Sequence, residues 1–296
     1  MRIVSNVSAD DIGFGAKHTL FVEGEEKSID VGVLSGLLGI RVKPLGASFQ
    51  VVSVSQALHK SCPNAYFLVD RDHYDDVAVE EYWRKFPNAE TPNLLMWRRK
   101  EIESYFIDPA FLCQSDYLRK GKGAADIAAL VLKAAKPYVY MAAANRVIVE
   151  VREKFKRKWI ELFRECNDFP DSASAKSMLL SHPGFVKYRD MVVGVTESKM
   201  LGTLFDSELE CLTGGADPIE WGRGRWLELL PAKAIMYSVI ESSLFVVKDV
   251  NNKALTGQDK IRAVVRNLLS SGKDYPTDFK ELIKLINDRV RESSSR

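Results

Sequence analysis

Two apolar runs in this chain end in carboxylates. Residues 65–76 read AYFLVDRDHYDD, a strand-like segment that passes directly into Asp70, Asp72, Asp75 and Asp76. Residues 20–24 read LFVEG, a second apolar segment closed by Glu23 and Gly24. Side chains two apart on an extended segment point the same way, so Asp70 and Asp72 are expected to present both carboxylates to one point, with Glu23 brought up from a neighbouring strand end. Like charges gathered in a poorly hydrated place repel unless a cation sits among them. The chemistry such a cluster suits is the binding of a hard divalent ion, Mg²⁺ or Mn²⁺, held by oxygen ligands and facing a phosphate. Acids behind a strand also cap helices and form turns. For Asp70 and Asp72 taken alone both roles are open, and Glu23-Gly24 is what favours a metal. Asp75 or Asp76 is expected to cap the helix through VAVEEYWRKF.

Such a cluster needs a scaffold that brings strand ends together. Residues 18 to about 108 alternate apolar runs with helical patterns, the texture of βα units around a mostly parallel sheet. Strands are predicted over HTLFVEG (18–24), RVKPLG with its preceding Ile40 (40–46), AYFLVD (65–70) and NLLMW (93–97). Between them, EEKSIDVGVLSGLLG places Ile29, Val33, Leu34, Leu37 and Leu38 on one helical face, with Gly39 as C-cap, and SFQVVSVSQALHKS forms a second helix. In an open parallel sheet the carboxyl ends of the strands face the ligand crevice, which is where these acids fall.

From about residue 110 the apolar residues recur at helical spacing. AADIAALVLKAA (124–135) ends before Pro137, a long pattern runs from Ala142 to Cys166, and TDFKELIKLINDRV puts Phe279, Leu282, Ile283, Ile286 and Val290 on one stripe behind a Thr277 or Asp278 cap. The expected division is therefore 1–110, α/β, and 111–296, mainly helical.

Composition narrows the function classes. With 42 Lys and Arg against 40 Asp and Glu, the net charge of +2 rules out a polycation that coats nucleic acid, so any nucleic-acid surface must be local. No GxxxxGK occurs, which excludes a P-loop. Cys62, Cys113, Cys166 and Cys211 show no CxxC pairing and read as buried free thiols. The start MRIVSNVSADD lacks a signal-peptide pattern, and no run is expected to reach the roughly 18 apolar residues of a membrane helix, which points to a cytoplasmic protein with no membrane partner.

Together, FVEG and LVDRD resemble the Toprim domain, the metal-dependent core of topoisomerases, bacterial primases and the OLD-family nucleases, which carries a Glu-Gly at the end of its first strand and an Asp-x-Asp at the end of its third. WRRKEIESYFIDP (97–109) is similar to the segment behind the fourth strand in the OLD-like branch, which implies Glu103, and second to it Glu101, as a further acid. Within that branch the chain looks most like the stand-alone effectors of PARIS-type anti-phage systems, which accompany an ABC-type ATPase. RWLELLPAKAIM (225–236) resembles them in its Lys233, a residue that would reach the active site. Many Toprim nucleases carry an Asp four residues after the motif Glu. Lys27 stands there in this chain, which leaves Glu26 and Asp30 as the nearby acids for a second metal.

The resemblance implies a Toprim-like sheet flanked by helices, followed by a mainly helical region for partner binding, dimerisation or substrate binding. It implies a metal-dependent endonuclease acting on RNA, transfer RNA in particular, or on DNA, controlled by a partner ABC-type ATPase and dimeric when active. In that mechanism Glu23, Asp70 and Asp72 hold one Mg²⁺ or Mn²⁺, Glu103 with Glu26 or Asp30 holds a second, and Lys233 neutralises the developing charge. The alternative is a non-catalytic Toprim-fold subunit that regulates an ATPase complex.

Weaker candidates remain outside that set. WGRGRW (221–226) combines Arg223 and Arg225 with Trp221 and Trp226, a composition for phosphate contact and base stacking or, as the favoured reading, for a loop anchored in the core. REKFKRKW (152–159) reads as a solvated helix face rather than a nucleic-acid groove. His73 lies near the acids and reads as a structural helix-start residue.

Overall fold

Strand β1 (Thr19–Val22) is buried at every position, as are β3 (Ala65–Val69) and β4 (Leu94–Met96), whereas β2 (Arg41–Pro44) is exposed or half-buried throughout. In the order β2-β1-β3-β4, with all pairings parallel, β1 and β3 are central and β2 and β4 are the edges, of which β4 is covered all the same. Strands inside a parallel sheet carry continuous apolar runs because helices cover both faces, while an edge strand tolerates the missing N–H of Pro44. In this computed structural model the described residues are 18–72, 74–88, 91–155, 161–188, 196–270 and 272–294.

The crossovers are α1 (Ile29–Leu37), α2 (Ser48–Leu58) and α3 (Asp76–Lys85). Ser28 caps α1, its hydroxyl accepting from the Val31 N–H at 3.4 Å, and the predicted apolar face is there, with Val33, Leu34 and Leu38 buried. Gly39 is not its left-handed cap: Leu38 ends the helix in an extended conformation, φ −107°, and buries its own side chain instead. Asp75 caps α3 through the Ala78 N–H at 2.8 Å. After β4 come a 3-10 turn over Ile102–Tyr105 and the short helix α4 (Pro109–Leu112).

The remaining helices are α5 (Ala124–Ala135), α6 (Val139–Phe155), α7 (Ser172–Leu180), α8 (Pro183–Tyr188), α9 (Ser198–Thr213), α10 (Trp226–Leu229), α11 (Ala232–Glu241), α12 (Gly257–Leu268) and α13 (Thr277–Ser294). The chain is thus α/β, with a four-stranded all-parallel sheet flanked by helices and a helical C-terminal region. It forms two compact units, Met1–Ala124 with Ile240–Arg296, and Ala125–Val239. The break expected at residue 110 therefore falls elsewhere, because the last two helices belong with the sheet.

The reason lies in the rings behind β4. Phe279 of α13 stands 5.7 Å from Trp97, 4.9 Å from Tyr105, 6.0 Å from Phe106 and 6.4 Å from Phe111, centroid to centroid. Such tilted and edge-on aromatic pairs add to the burial of the rings themselves. Of the predicted stripe on α13, Phe279, Leu282 and Ile286 are buried and Ile283 and Val290 half-buried. Asp278 does not act as the cap read from the sequence. Its carboxylate accepts from Arg98 at 3.0 Å and from the Tyr105 hydroxyl, so it ties α13 to the segment behind β4.

In the second unit α6 packs against α9 and α7, and Arg146 of α6 pairs with Glu208 of α9. Against expectation, one helical run among the described residues, Ala124–Glu153, is long and apolar enough to cross a membrane by composition. Its apolar side, including Ile127, Val131, Val139, Val147, Ile148 and Val151, is buried inside the unit. The four cysteines are free, and all are half-buried rather than fully enclosed.

Candidate metal centre

Between β1 and β3 the chain order reverses, since β1 leads on to β2 on one side and β3 to β4 on the other. A crevice opens at such a switch point outside the carboxyl ends of the strands. Glu23 follows β1 and Asp70 follows β3, so the two residues flank that point.

Local backbone chemistry fixes Glu23. Sheet pairing ends in a bridge in which the Gly24 N–H donates to the Gly46 carbonyl at 2.8 Å. Gly24 sits at φ +96°, where a Cβ would be strained and would stand 3.1 Å from the Ser28 Cβ. A glycine behind the acid lets the chain turn into the α1 loop while the Glu23 carboxylate faces β3. There its Oε1 accepts the Asp70 N–H at 2.8 Å, and the Ser48 side chain hydrogen-bonds it as well.

Four other acids act electrostatically on Glu23 and Asp70. Burial pushes the Asp70 carboxyl well above the ordinary carboxylate range, and the charges of Asp30, Glu23, Glu101 and Glu103 push it further. Glu23 is raised first by burial and also by Asp72 and Asp30, against the lowering effect of its bonds from the Asp70 N–H and Ser48. Strand ends β1 and β3, the first turn of α1 and the 3-10 turn behind β4 each contribute. Glu103 is itself buried, at 5% exposure, and Glu101 is half-buried.

Several of the predicted placements change. Asp72 does not follow Asp70 in an extended segment: its φ of +46° is left-handed, and its side chain is exposed. Its charge nevertheless acts on Glu23. The turn is held by Arg71, buried at 4% exposure, whose guanidinium donates to the Tyr74 and Arg98 carbonyls at 3.1 and 2.7 Å and to the Asp76 carboxylate. Of the two acids available for the second position, Asp30 is the leading charge on Asp70, while Glu26 is exposed on the turn before Ser28. Lys233 is exposed on α11 and belongs to the second unit. His73 lies outside the described residues, as do residues 156–159 of the basic stretch.

The donor set is of the kind a hard cation takes: every group is a carboxylate, and Asp70 is disfavoured as an anion by burial and by the charges of Asp30, Glu23, Glu101 and Glu103. Among the described residues no three His, Cys, Asp or Glu side chains are placed so that together they could hold a metal ion. Glu23 spends one oxygen on the Asp70 N–H, and converging acids repel one another.

The WGRGRW loop is a packed structure. The indoles of Trp221 and Trp226 stand 4.8 Å apart, edge to face, and donate to the Ala128 and Glu220 carbonyls. A Cβ on Gly224 would lie 2.1 Å from the Leu212 carbonyl oxygen, so that glycine is required by close backbone approach. Arg225 pairs with Glu228 at 2.8 Å and Arg223 with Glu220 at 3.5 Å.

Sequence reasoning missed Ser48 and Arg71. No local pattern marks Ser48. Arg71 was visible only as a base between two acids, a setting that hinted at an internal ion pair. No protein-family model matches the chain, and no curated protein matches it.

Proposed function

We propose that the chain is a Toprim-like, Mg²⁺- or Mn²⁺-dependent endonuclease, the effector of a bacterial anti-phage system. The observation that carries this reading is the meeting of Glu23 and Asp70 at the switch point, with Asp30, Asp72, Glu101 and Glu103 acting on them. A divalent cation bound there supplies a Lewis acid for a phosphate oxygen and a water acidified toward neutrality. Asp70, Asp72 and Glu23 are the residues to hold it, and Glu103 with Asp30 a second. The Asp70 N–H and Ser48 orient the Glu23 carboxylate, for which the role of general base is, on resemblance, the alternative to holding the metal. Lys233 keeps its role as the cation for the developing charge on resemblance alone, as do the ABC-type ATPase partner, the active homodimer and the cytoplasmic location.

The test is cleavage of end-labelled transfer RNA, single-stranded RNA and duplex DNA by the purified chain with Mg²⁺ or Mn²⁺. Cutting that is lost in Asp70→Ala and in EDTA supports the reading. Full activity in Asp70→Ala overturns it.

A second reading, a non-catalytic regulatory subunit of an ATPase complex, draws on Lys27 at the usual acidic position and on the lack, among the described residues, of three such side chains placed to hold a metal ion. Calorimetry separates the two: no heat on titrating Mg²⁺ or Mn²⁺, with ATPase binding retained, favours the regulator.

A further inference from the structure

A cleft of ≈ 360 Å³ runs along α1 within the sheet-bearing unit, between the turn behind Gly24 and α12. Its charged lining is Lys27, Arg262 and Arg266 against the single acid Glu26. Arg262 and Arg266 are four apart, hence neighbours on one helical face, while Ile261, Val264, Val265 and Leu268 of the same helix are buried. The Arg262 guanidinium donates to the Lys27 carbonyl at 3.4 Å, which ties α12 to the turn that follows Glu23. Asp259, which it approaches at 4.0 Å, is three-quarters exposed, a pair too loose and too wet to neutralise it. Lys27 and Arg266 are exposed.

We infer that this cleft binds the phosphodiester backbone of a nucleic-acid strand beyond the bond that is cut, with Lys27, Arg262 and Arg266 as the phosphate contacts. The inference rests on the nuclease reading of the carboxyl edge and deepens it. A cluster of carboxylates repels a polyanion, and a net charge of +2 over the whole chain supplies no general attraction, so cations beside the cluster must bring the strand in. Arginine suits the task because its planar fork grips phosphate oxygens in pairs. Position 27 then acquires a use: where the Toprim pattern places an acid, this chain places a phosphate-binding cation at the mouth of the cleft.

The experiment measures binding of the full chain to a fluorescein-labelled single-stranded RNA, the matching DNA strand and the DNA duplex, by anisotropy in EDTA over a range of salt. Lys27→Ala and Arg266→Ala are each expected to lower the slope of log K against log salt by about 0.7 on a single strand or about 0.9 on the duplex, and the double variant by about twice that. Lys85→Ala, at the far end of α3, serves as control and leaves the slope unchanged. The strand type showing the full change identifies what the cleft takes. Unchanged slopes on all three probes in the double variant overturn the inference, as does equal loss in the Lys85 control. Failure of the two readings is distinguishable. If Asp70→Ala is inactive and the slopes do not move, the cleft alone is wrong. If Asp70→Ala cuts normally while the slopes fall, the metal centre is wrong and the cleft stands.

Discussion

The backbone N–H of Asp70 donates to the Glu23 carboxylate at 2.8 Å, joining the ends of two adjacent parallel strands across the switch point of the sheet. The bond orients one acid with the main chain of the other. Its worth is measurable by comparing two variants that both remove the charge. Glu23→Gln keeps an acceptor for the Asp70 N–H, and Glu23→Ala leaves that donor unmet. Urea unfolding is expected to find the Ala variant less stable than the Gln variant by about 1–3 kcal/mol, with cleavage lost in both.

Asp70 gives a pH dependence whose sign is fixed. Its carboxyl lies well above the ordinary range in the folded chain, so the folded state holds the proton more tightly than the unfolded one. The associated stability is present below the unfolded value of about 3.9 and is lost as pH rises through the folded value. In EDTA, the thermal stability of the wild type should therefore fall from about pH 4 upward, and Asp70→Asn should flatten that trend. Adding Mg²⁺ should restore stability at neutral pH in the wild type alone. A wild-type curve indifferent to both pH and metal argues against a metal centre.

Asp75 tests the division of labour among the acids of residues 70–76. It caps α3 and is not among the charges that act most on Glu23 or Asp70. Asp75→Ala should cost about 1 kcal/mol of stability and leave metal-dependent cleavage at the wild-type rate. Loss of cleavage with the fold intact would move Asp75 into the site.

Arg98 links the C-terminal helix to the segment that carries Glu101 and Glu103. It pairs with Asp278 at 3.0 Å and Glu281 at 2.7 Å and stacks 4.0 Å over the ring of Trp83. Arg98→Ala should destabilise by roughly 2–4 kcal/mol, since the buried Asp278 carboxylate loses its cation. A double-mutant cycle with Asp278→Asn should show coupling above about 1 kcal/mol. Additive effects would remove the network from the account.

Much of the scaffold is written in local pattern. Continuous apolar runs mark β1, β3 and β4, the 3.6-residue stripe marks α13, and Asp75 announces the start of α3, because burial period and capping are settled within a few residues of chain. The acids at the ends of β1 and β3 were legible for the same reason.

What the sequence by itself determined is therefore the set of elements and which of them end in carboxylates. Only the tertiary structure decided their use. Strand order set Glu23 beside Asp70 rather than beside another strand end, and packing chose Asp30 over Glu26 and brought in Glu101. A left-handed turn replaced the extended geometry expected at Asp72, and the buried rings around Phe279 took Asp278 from capping into an ion pair and returned the last two helices to the sheet. These outcomes depend on contacts between residues far apart in the chain, whose free energies exist only once the core has formed, and no local spacing encodes them.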